Sequence, residues 1–382
     1  MNLPANFTYV GVDDHDIDLF EGQFVVPNGI SYNSFIIQDE KIAVMDSVDK
    51  HFADQWLTNI KEVLGQETPD YLVVSHMEPD HSGSIQAFME AFPNTTIVLN
   101  AKSAPMLEKY FGANYSEQTL IVKNEDTLSL GEHTLTFIFA PMVHWPEVMM
   151  SYEPTTKTLF SADAFGKFGV LSHNEEWACE ARRYYFGIVA PYGKQVQNTL
   201  KKLGSFEVKR ICPLHGPILD HDLDTYLSLY NTWSSHEAET KGVAIAYASV
   251  YGHTKVAAEK LAELLSAKGT SVELHDLTRG DEAEAIEDAF RYTTLVCASV
   301  TYNGSMFPAM RNFLADLVEK KYQNRTVAFI QNGSWAPAAT KAMKSMLEGC
   351  KNITFCEQEV SVAGALTPET EKELELLANA LA

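Results

Sequence analysis

Four side chains that could bind a metal fall within six residues, directly after a short apolar run. The run, residues 71–75, is typical of a buried strand, and His76-Met77-Glu78-Pro79-Asp80-His81 follows it. A tight loop at a strand end can direct several side chains at one point. Four such groups on one loop would repel one another or stay unused without a cation. The segment therefore predicts a site for iron, zinc or manganese on a β-strand framework.

Three more candidate ligands lie in similar positions later in the chain. His144 follows a predicted strand at 135–140, and Asp163 follows one at 158–161. His215 lies in the segment Cys212-Pro213-Leu214-His215-Gly216-Pro217. Alone, each is more often a hydrogen-bonded turn residue than a ligand, so these three leave a metal role open. Four other histidines stand in polar stretches and are expected at the surface: His51, His173, His221 and His236.

The chain changes character near residue 242. Before it, the pattern predicts many short strands with a few helices, including Ala53–Leu64 and a closing helix at 226–236. After it, predicted strands (243–248, 271–276, 295–299, 326–331) alternate with helices (255–266, 307–320, 338–347). Alternating strand and helix units predict a parallel, doubly wound sheet. For 382 residues we therefore predict two domains, at 1–242 and 243–382.

A loop rich in hydroxyl groups joins the first strand of the second domain to its helix. It consists of Ser249, Val250, Tyr251, Gly252, His253 and Thr254. Backbone N–H groups and the helix dipole favour a phosphate at such a loop. The loop lacks the Gly-Lys-Ser/Thr ending of a nucleotide-triphosphate site and the Gly-x-Gly-x-x-Gly pattern of a dinucleotide site.

Two further loops follow later strands of the same domain. They contain Thr301, Tyr302, Asn303 and Gly304, and then Asn332, Gly333, Ser334 and Trp335. Ligands of doubly wound sheets bind at the carboxyl ends of the strands. Hydroxyl groups, glycine and aromatic rings at these ends fit a phosphorylated flat ring. We expect Tyr302 and Trp335 to pack against that ring.

Together these motifs resemble the flavodiiron proteins, also called A-type flavoproteins. The 76–81 loop is similar to the metallo-β-lactamase signature His-x-His-x-Asp-His, with Glu78 in place of the second His. The later loops resemble the flavodoxin pattern, although 331–334 departs from the usual Gly-Ser-Tyr-Gly sequence. The resemblance implies an α/β chain: an αββα metallo-β-lactamase-like sandwich followed by a doubly wound, flavodoxin-like domain that binds FMN.

The resemblance also implies a diiron centre. One iron would be bound by His76, Glu78 and His144, the other by Asp80, His81 and His215, with Asp163 as the bridge. An added carboxylate at position 78 suits hard, redox-active iron better than zinc. Glu147, where the family often has Asp, would act on a ligand from outside the metal shell. Tyrosines expected to line the pocket are Tyr32, Tyr185 and Tyr192, although ordinary aromatic packing explains each one alone.

The implied activity is reduction of O2 to water, of NO to N2O, or of both. Electrons would come from a donor such as rubredoxin or a reductase and pass through FMN, in a head-to-tail homodimer or a dimer of such dimers. One alternative is a zinc hydrolase of the metallo-β-lactamase type with an accessory flavodoxin domain, which Glu78 and the flavin domain disfavour. Another is an electron carrier with a structural metal.

Charge and cysteine content narrow the partners and the compartment. With 29 Lys and Arg against 51 Asp and Glu, the net charge is −22. This disfavours nucleic acids and anionic membranes as partners. The five cysteines are scattered, without a Cys-x-x-Cys pair, which argues against a disulfide framework, a zinc ribbon or a fused rubredoxin. Without a visible signal peptide or membrane-spanning run, we expect a cytoplasmic protein of the two-domain form.

Overall fold

The computed structural model describes residues 3–173 and 175–382, which form two compact units. The first unit comprises Met1–Tyr184 and Lys194–Asn231, and the second comprises Tyr185–Gly193 and Thr232–Ala382. The sequence limits of the two domains, predicted at residue 242, remain a proposal. Among the described residues, no helix combines the length and apolar character needed to cross a bilayer.

The first unit is built on two β-sheets. Its strands are β1 (Phe7–Tyr9), β2 (Val12–Asp14), β3 (Leu19–Phe20), β4 (Phe24–Val25), β5 (Ile30–Tyr32), β6 (Phe35–Ile37), β7 (Ala43–Met45), β8 (Tyr71–Val73), β9 (Thr96–Asn100), β10 (Thr119–Val122), β11 (Thr127–Ser129), β12 (Thr134–Phe139), β13 (Met149–Glu153), β14 (Thr158–Phe160) and β15 (Arg210–Cys212). One sheet has the order β1-β6-β7-β8-β9-β10 and the other β11-β12-β13-β14-β15. Strands β2 and β5 form a separate pair, as do β3 and β4.

Helices accompany these sheets. They are α1 (Ala53–Leu64), α2 (Pro79–Ser82), α3 (Ile85–Ala91), α4 (Ala104–Phe111), α5 (Trp177–Tyr184), α6 (Gly193–Leu203) and α7 (Leu223–Ser234). Helix α1 has the predicted bounds because its buried residues recur at helical spacing and Gly65, with a positive φ, ends it. Trp56 of α1 packs against Phe88 of α3, with ring centroids 5.3 Å apart.

The core of the first unit lies between its two sheets. Phe35 and Met45 from one sheet belong to the same buried cluster as Phe137 and Phe160 from the other. The Phe35 and Phe160 rings lie 5.6 Å apart, edge to face. Every residue of β6 and β7 is buried, so both faces of that sheet are covered. The predicted αββα sandwich is confirmed.

The second unit is a doubly wound α/β fold, as predicted. Its elements are β16 (Thr240–Ala248), α8 (His253–Ser266), β17 (Val272–Asp276), α9 (Glu282–Arg291), β18 (Tyr292–Tyr302), β19 (Ser305–Met306), α10 (Pro308–Glu319), β20 (Arg325–Asn332), α11 (Ala339–Leu347), β21 (Ile353–Phe355), β22 (Val360–Val362) and α12 (Pro368–Leu381). The sheet order is β17-β16-β18-β20-β21, with parallel pairing throughout. Strand β22 also pairs with β20, and β19 folds back on β18.

One histidine expected at the surface is buried instead. His236 is 6% exposed, whereas His51, His173 and His221 are exposed as predicted. The backbone oxygen of His236 accepts a hydrogen bond of 2.7 Å from Arg325, and its ring lies 6.0 Å from Phe290. Burial lowers the pKa of His236. The prediction was wrong because the polar neighbours of His236 in sequence do not reveal this packing partner.

Candidate functional site

The seven predicted metal ligands converge in the first unit, each on a segment that follows a strand. They are His76, Glu78, Asp80 and His81 after β8, His144 after β12, Asp163 after β14, and His215 after β15. Strands β14 and β15 are parallel neighbours, so their carboxyl ends meet at one edge. Pro79 occupies the first turn of α2, where its fixed φ suits a helix start and holds the loop tight.

The first group joins His76, Glu78, His144 and Asp163. The Nε2 atoms of His76 and His144 lie 3.1 and 3.0 Å from Oε2 of Glu78. The same two nitrogens lie 3.2 and 3.3 Å from Oδ2 of Asp163. Two imidazoles and two carboxylates thus face one point.

The second group joins Asp80, His81 and His215. The Nε2 atoms of His81 and His215 are 2.9 Å apart and lie 3.2 and 3.3 Å from Oδ2 of Asp80. Oδ1 of Asp163 lies 3.3 Å from the His81 nitrogen and 3.8 Å from that of His215. Asp163 therefore turns one oxygen to each group.

The donor atoms of this cluster fit two bound cations. The buried carboxylate oxygens of Asp80 and Asp163 accept no hydrogen bond of good geometry among the described residues, and the histidine nitrogens that face Asp80 Oδ2 and both Asp163 oxygens lie 3.2–3.8 Å away. Buried carboxylates are costly unless they are paired with a cation or a metal. Imidazole and carboxylate ligands with a shared bridging carboxylate are the donor set expected for iron.

The side chains of this cluster are strongly charged. Although burial opposes the shift, the imidazoles of His76, His144 and His81 hold the pKa of Asp163 well below its ordinary value. Burial lowers the pKa of a histidine, yet the carboxylates of Asp163 and Glu147 raise the pKa of His76 well above its usual range. Binding of a metal would therefore displace protons from these histidines.

Three groups outside the ligand set contact the histidine rings or the ligand loop. Nδ1 of His76 lies 2.7 Å from Oε1 of Glu147, in the position expected for a residue that orients a ligand. Nδ1 of His215 lies 2.7 Å from the backbone oxygen of Ser31. Oδ1 of the buried Asp46 accepts a 2.6 Å hydrogen bond from the backbone N–H of Ser75. Burial raises the pKa of Asp46 to about 6.

Aromatic rings cover the second group. The Tyr32 ring lies 6.4 Å from that of His81 and 6.0 Å from that of His215. The Tyr184 ring lies 5.5 Å from His215, and burial with the charge of Asp163 raises the Tyr184 pKa well above its usual value. Its hydroxyl therefore keeps its proton.

The other two predicted pocket tyrosines lie in the second unit. Tyr185 has ring contacts with Phe186 and Trp233, and Tyr192 is half-buried in a short 3-10 turn. Their pocket role remains a prediction. Sequence reasoning missed Tyr184, yet Trp177, Ala181 and Tyr184 recur at helical spacing and are buried. That pattern could have identified Tyr184. Asp46 gives no comparable signal.

Another missed residue is Glu21, in the turn between β3 and β4. Its Oε2 accepts a 3.1 Å hydrogen bond from the side-chain amide of Gln23, and its carboxyl group lies near that of Glu78. Loss of hydration at the carboxyl group and the charge of Glu78 raise the pKa of Glu21 to about 7. The ring of the adjacent Phe20 lies 5.4 Å from that of His215. This turn therefore contacts ligands of both groups.

In the second unit, the predicted loops line one cavity of about 540 Å³ at the carboxyl ends of the strands. Of the predicted residues, it includes Ser249, Val250, Tyr251, His253, Thr254, Thr301, Tyr302, Asn303, Gly304, Asn332, Gly333, Ser334 and Trp335. Gly252 does not line it; it precedes α8 with φ +93°, and its N–H donates to Ser249 Oγ over 3.2 Å. The cavity also includes Val300 and Ala336, which adjoin the predicted residues of the two later loops, and Gly364, which sequence reasoning missed.

The cavity fits a phosphorylated flavin. None of its lining residues is Asp or Glu, so no lining carboxylate repels a phosphate, and the start of α8 faces it. Trp335 is 82% exposed and Tyr302 45%, leaving both rings accessible to a planar ligand. The Asn332 amide bonds both backbone groups of Gly364, at 2.9 and 3.0 Å, and so ties two loops together.

Each unit of the chain matches a known protein family. Residues 30–216 match the family model described as ODP family beta lactamase, and residues 244–367 match a flavodoxin domain. A nitric oxide reductase of Moorella thermoacetica is 30% identical over 368 residues, which cover 92% of this chain and 91% of that protein. A putative diflavin flavoprotein of Thermosynechococcus vestitus is 34% identical over 75% of this chain, which spans about half (51%) of that longer protein.

Two solved structures resemble this chain over nearly its whole length. Rubredoxin oxygen:oxidoreductase from Desulfovibrio gigas is 26% identical with a TM-score of 0.92, covering 100% of this chain and 97% of that one. The flavodiiron protein from Giardia intestinalis is 26% identical with a TM-score of 0.93, covering 99% and 95%. The two domains in the same order, and the relatives that match nearly their full length, lead to one conclusion: this chain belongs to the flavodiiron protein family.

Proposed function

We propose that this protein is an oxidoreductase that reduces O2 to water, NO to N2O, or both, at a diiron site supplied with electrons through FMN. The observation that carries the proposal is the position of Asp163, which faces a pair of histidines with each of its oxygens. A shared carboxylate between two imidazole groups supports a dinuclear centre.

The residues of the two sites have separate tasks. His76, Glu78 and His144 would hold one iron, and Asp80, His81 and His215 the other, with Asp163 between them. The loops at 249–254, 301–304 and 332–335 would hold FMN. When bound, the iron pair supplies a Lewis acid and electron donor for the gas, and FMN supplies electron transfer.

The remaining side chains orient the ligands and limit water. Glu147 fixes the ring of His76, and the carbonyl of Ser31 fixes that of His215. Tyr32 and Tyr184 cover the second group with aromatic surface, which lowers the local dielectric. The protonated hydroxyl of Tyr184 is a hydrogen-bond donor in this neighbourhood.

Partners and compartment follow from the family resemblance and the sequence. We propose rubredoxin or a reductase as the electron donor, a head-to-tail homodimer or a dimer of such dimers, and a cytoplasmic location. The scattered cysteines support a reducing compartment. We also propose the domain limits 1–242 and 243–382. Mass measurement coupled to activity tests the assembly, since an active, stable monomer would contradict it.

The zinc-hydrolase alternative loses support from the comparisons, because relatives covering nearly the whole chain are named as reductases. The test is anaerobic reduction of protein loaded with iron and FMN, followed by O2 and NO consumption in parallel. Consumption of at least one gas is expected in proportion to bound iron. Loss of gas consumption in Asp163→Asn with FMN retained would also exclude a simple electron carrier.

A further inference from the structure

The two metal groups differ in what holds their histidines from behind. In the first group, Nδ1 of His76 faces the Glu147 carboxylate at 2.7 Å. In the second group, Nδ1 of His215 faces the neutral backbone oxygen of Ser31, also at 2.7 Å. Nδ1 of His81 is buried without a hydrogen-bond partner among the described residues. Only the first of these three rings is supported by a negative charge.

Glu147 is held firmly in this position. It is 1% exposed, and its Oε1 also accepts the backbone N–H of Met77 at 3.0 Å. Its backbone oxygen accepts a hydrogen bond from the side-chain amide of Asn100. Oε1 thus accepts the Met77 N–H and faces the His76 ring, an arrangement that favours the carboxylate form. The carboxylate cannot turn away from His76 without leaving the Met77 N–H unpaired.

A carboxylate behind a metal-bound imidazole makes the ring a stronger ligand than a carbonyl does. The carboxylate attracts the Nδ1 proton, which raises electron density at Nε2. It also adds negative charge near the first metal position, where Glu78 and Asp163 already contribute. The His81 ring, whose Nδ1 has no hydrogen-bond partner among the described residues, gains neither benefit.

We propose that Glu147 is a positioning residue that makes the group of His76, Glu78 and His144 the tighter of the two metal sites. A first divalent ion binds there, and the group of Asp80, His81 and His215 fills second and empties first. The inference rests on the proposed function in assuming that both groups bind metal, and it adds an order of binding.

Cobalt(II) binding to the metal-free, FMN-loaded full chain tests the order by visible absorption and chelator competition. His215→Ala leaves the first group, and His144→Ala leaves the second. We expect tighter Co²⁺ binding in His215→Ala than in His144→Ala. The first equivalent bound to the unaltered protein should give the spectrum of His215→Ala, a readout that needs no change at position 147.

The role of Glu147 is tested by Glu147→Gln in both backgrounds, since glutamine keeps the shape and removes the charge. Co²⁺ binding should weaken by about 10- to 100-fold in the His215→Ala background and by less than about twofold in the His144→Ala background. Glu147→Asp should recover part of the affinity. Glu153→Gln is the matched control, because Glu153 is also buried and accepts two backbone N–H groups.

The inference would be overturned if Co²⁺ bound the second group as tightly as the first or more tightly. It would also be overturned if Glu147→Gln weakened Co²⁺ binding equally at both groups. Either result would leave a diiron site intact. Absence of Co²⁺ binding in the unaltered protein would overturn the proposed function together with it. Circular dichroism and bound FMN monitor folding, and the spectrum of the first equivalent decides the order even if a position-147 variant does not fold.

Discussion

Asp163→Asn should weaken metal binding at both groups and so remove most of the stability that bound metal adds to the fold. Asp163 places one oxygen within 3.3 Å of the His76 and His144 nitrogens and the other within 3.8 Å of those of His81 and His215. One substitution therefore removes a negative ligand from both groups. At metal concentrations of about 100 times Kd, each site stabilises the fold by about 2.7 kcal/mol, or about 5 kcal/mol for two. For a unit of this size that corresponds to a rise in Tm of about 10–20 °C.

If Asp163→Asn weakens each site by at least about 100-fold, the same metal concentration is near Kd and contributes only about 0.4 kcal/mol per site. The metal-dependent rise in Tm should then fall to roughly 2–3 °C. The assay is thermal unfolding with and without Fe²⁺ under anaerobic conditions, with each variant compared against its own metal-free form. Glu153→Gln should keep the full rise. Two tightly bound irons and an unchanged rise in Asp163→Asn would refute the bridging role.

Three further outcomes are expected. Trp335→Ala should weaken FMN binding by about 2- to 13-fold through loss of ring stacking, measured by flavin fluorescence, whereas Leu376→Ala on α12 should not. Gly252→Ala should cost about 1–3 kcal/mol of stability because Gly252 has a positive φ, and it should also weaken FMN binding. Gly269→Ala, also at a positive φ, should lower stability without weakening FMN binding. Asp46 has its pKa raised from 3.8 to about 6, so its contribution to stability is present below about pH 4 and lost as the pH rises through 6. Between these limits the metal-free protein should lose about 3 kcal/mol more unfolding free energy than Asp46→Asn, and equal slopes would contradict the assignment.

Much of this site could be predicted because its residues follow short strands. Parallel strands such as β14 and β15 bring their carboxyl ends together, so separate loops meet although they are distant in sequence. The FMN loops likewise follow the carboxyl ends of β16, β18 and β20, which are parallel neighbours in the sheet of the second unit. Helix α1 was predicted with its observed bounds because its apolar period and terminal glycine agree.

The features that were missed depend on long-range packing. Nothing local distinguishes Asp46 from other strand-end residues, since its contact with the ligand loop is a hydrogen bond from Ser75, which is distant in sequence. Gly364 joins the flavin cavity through the side chain of Asn332, which is distant in sequence. His236 was expected at the surface and is buried against Arg325. Helix α9 carries four acidic residues in ten, which hide the apolar pattern of its buried residues Ile286 and Phe290.

The most direct test of the central claim is anomalous X-ray diffraction at the iron edge on crystals of the protein as isolated. We predict two iron peaks on either side of Asp163, about 3.5–4 Å apart. One should lie beside the His76 and His144 nitrogens and the other beside those of His81 and His215. A single peak, or signal at the zinc edge alone, would contradict a diiron centre at these residues.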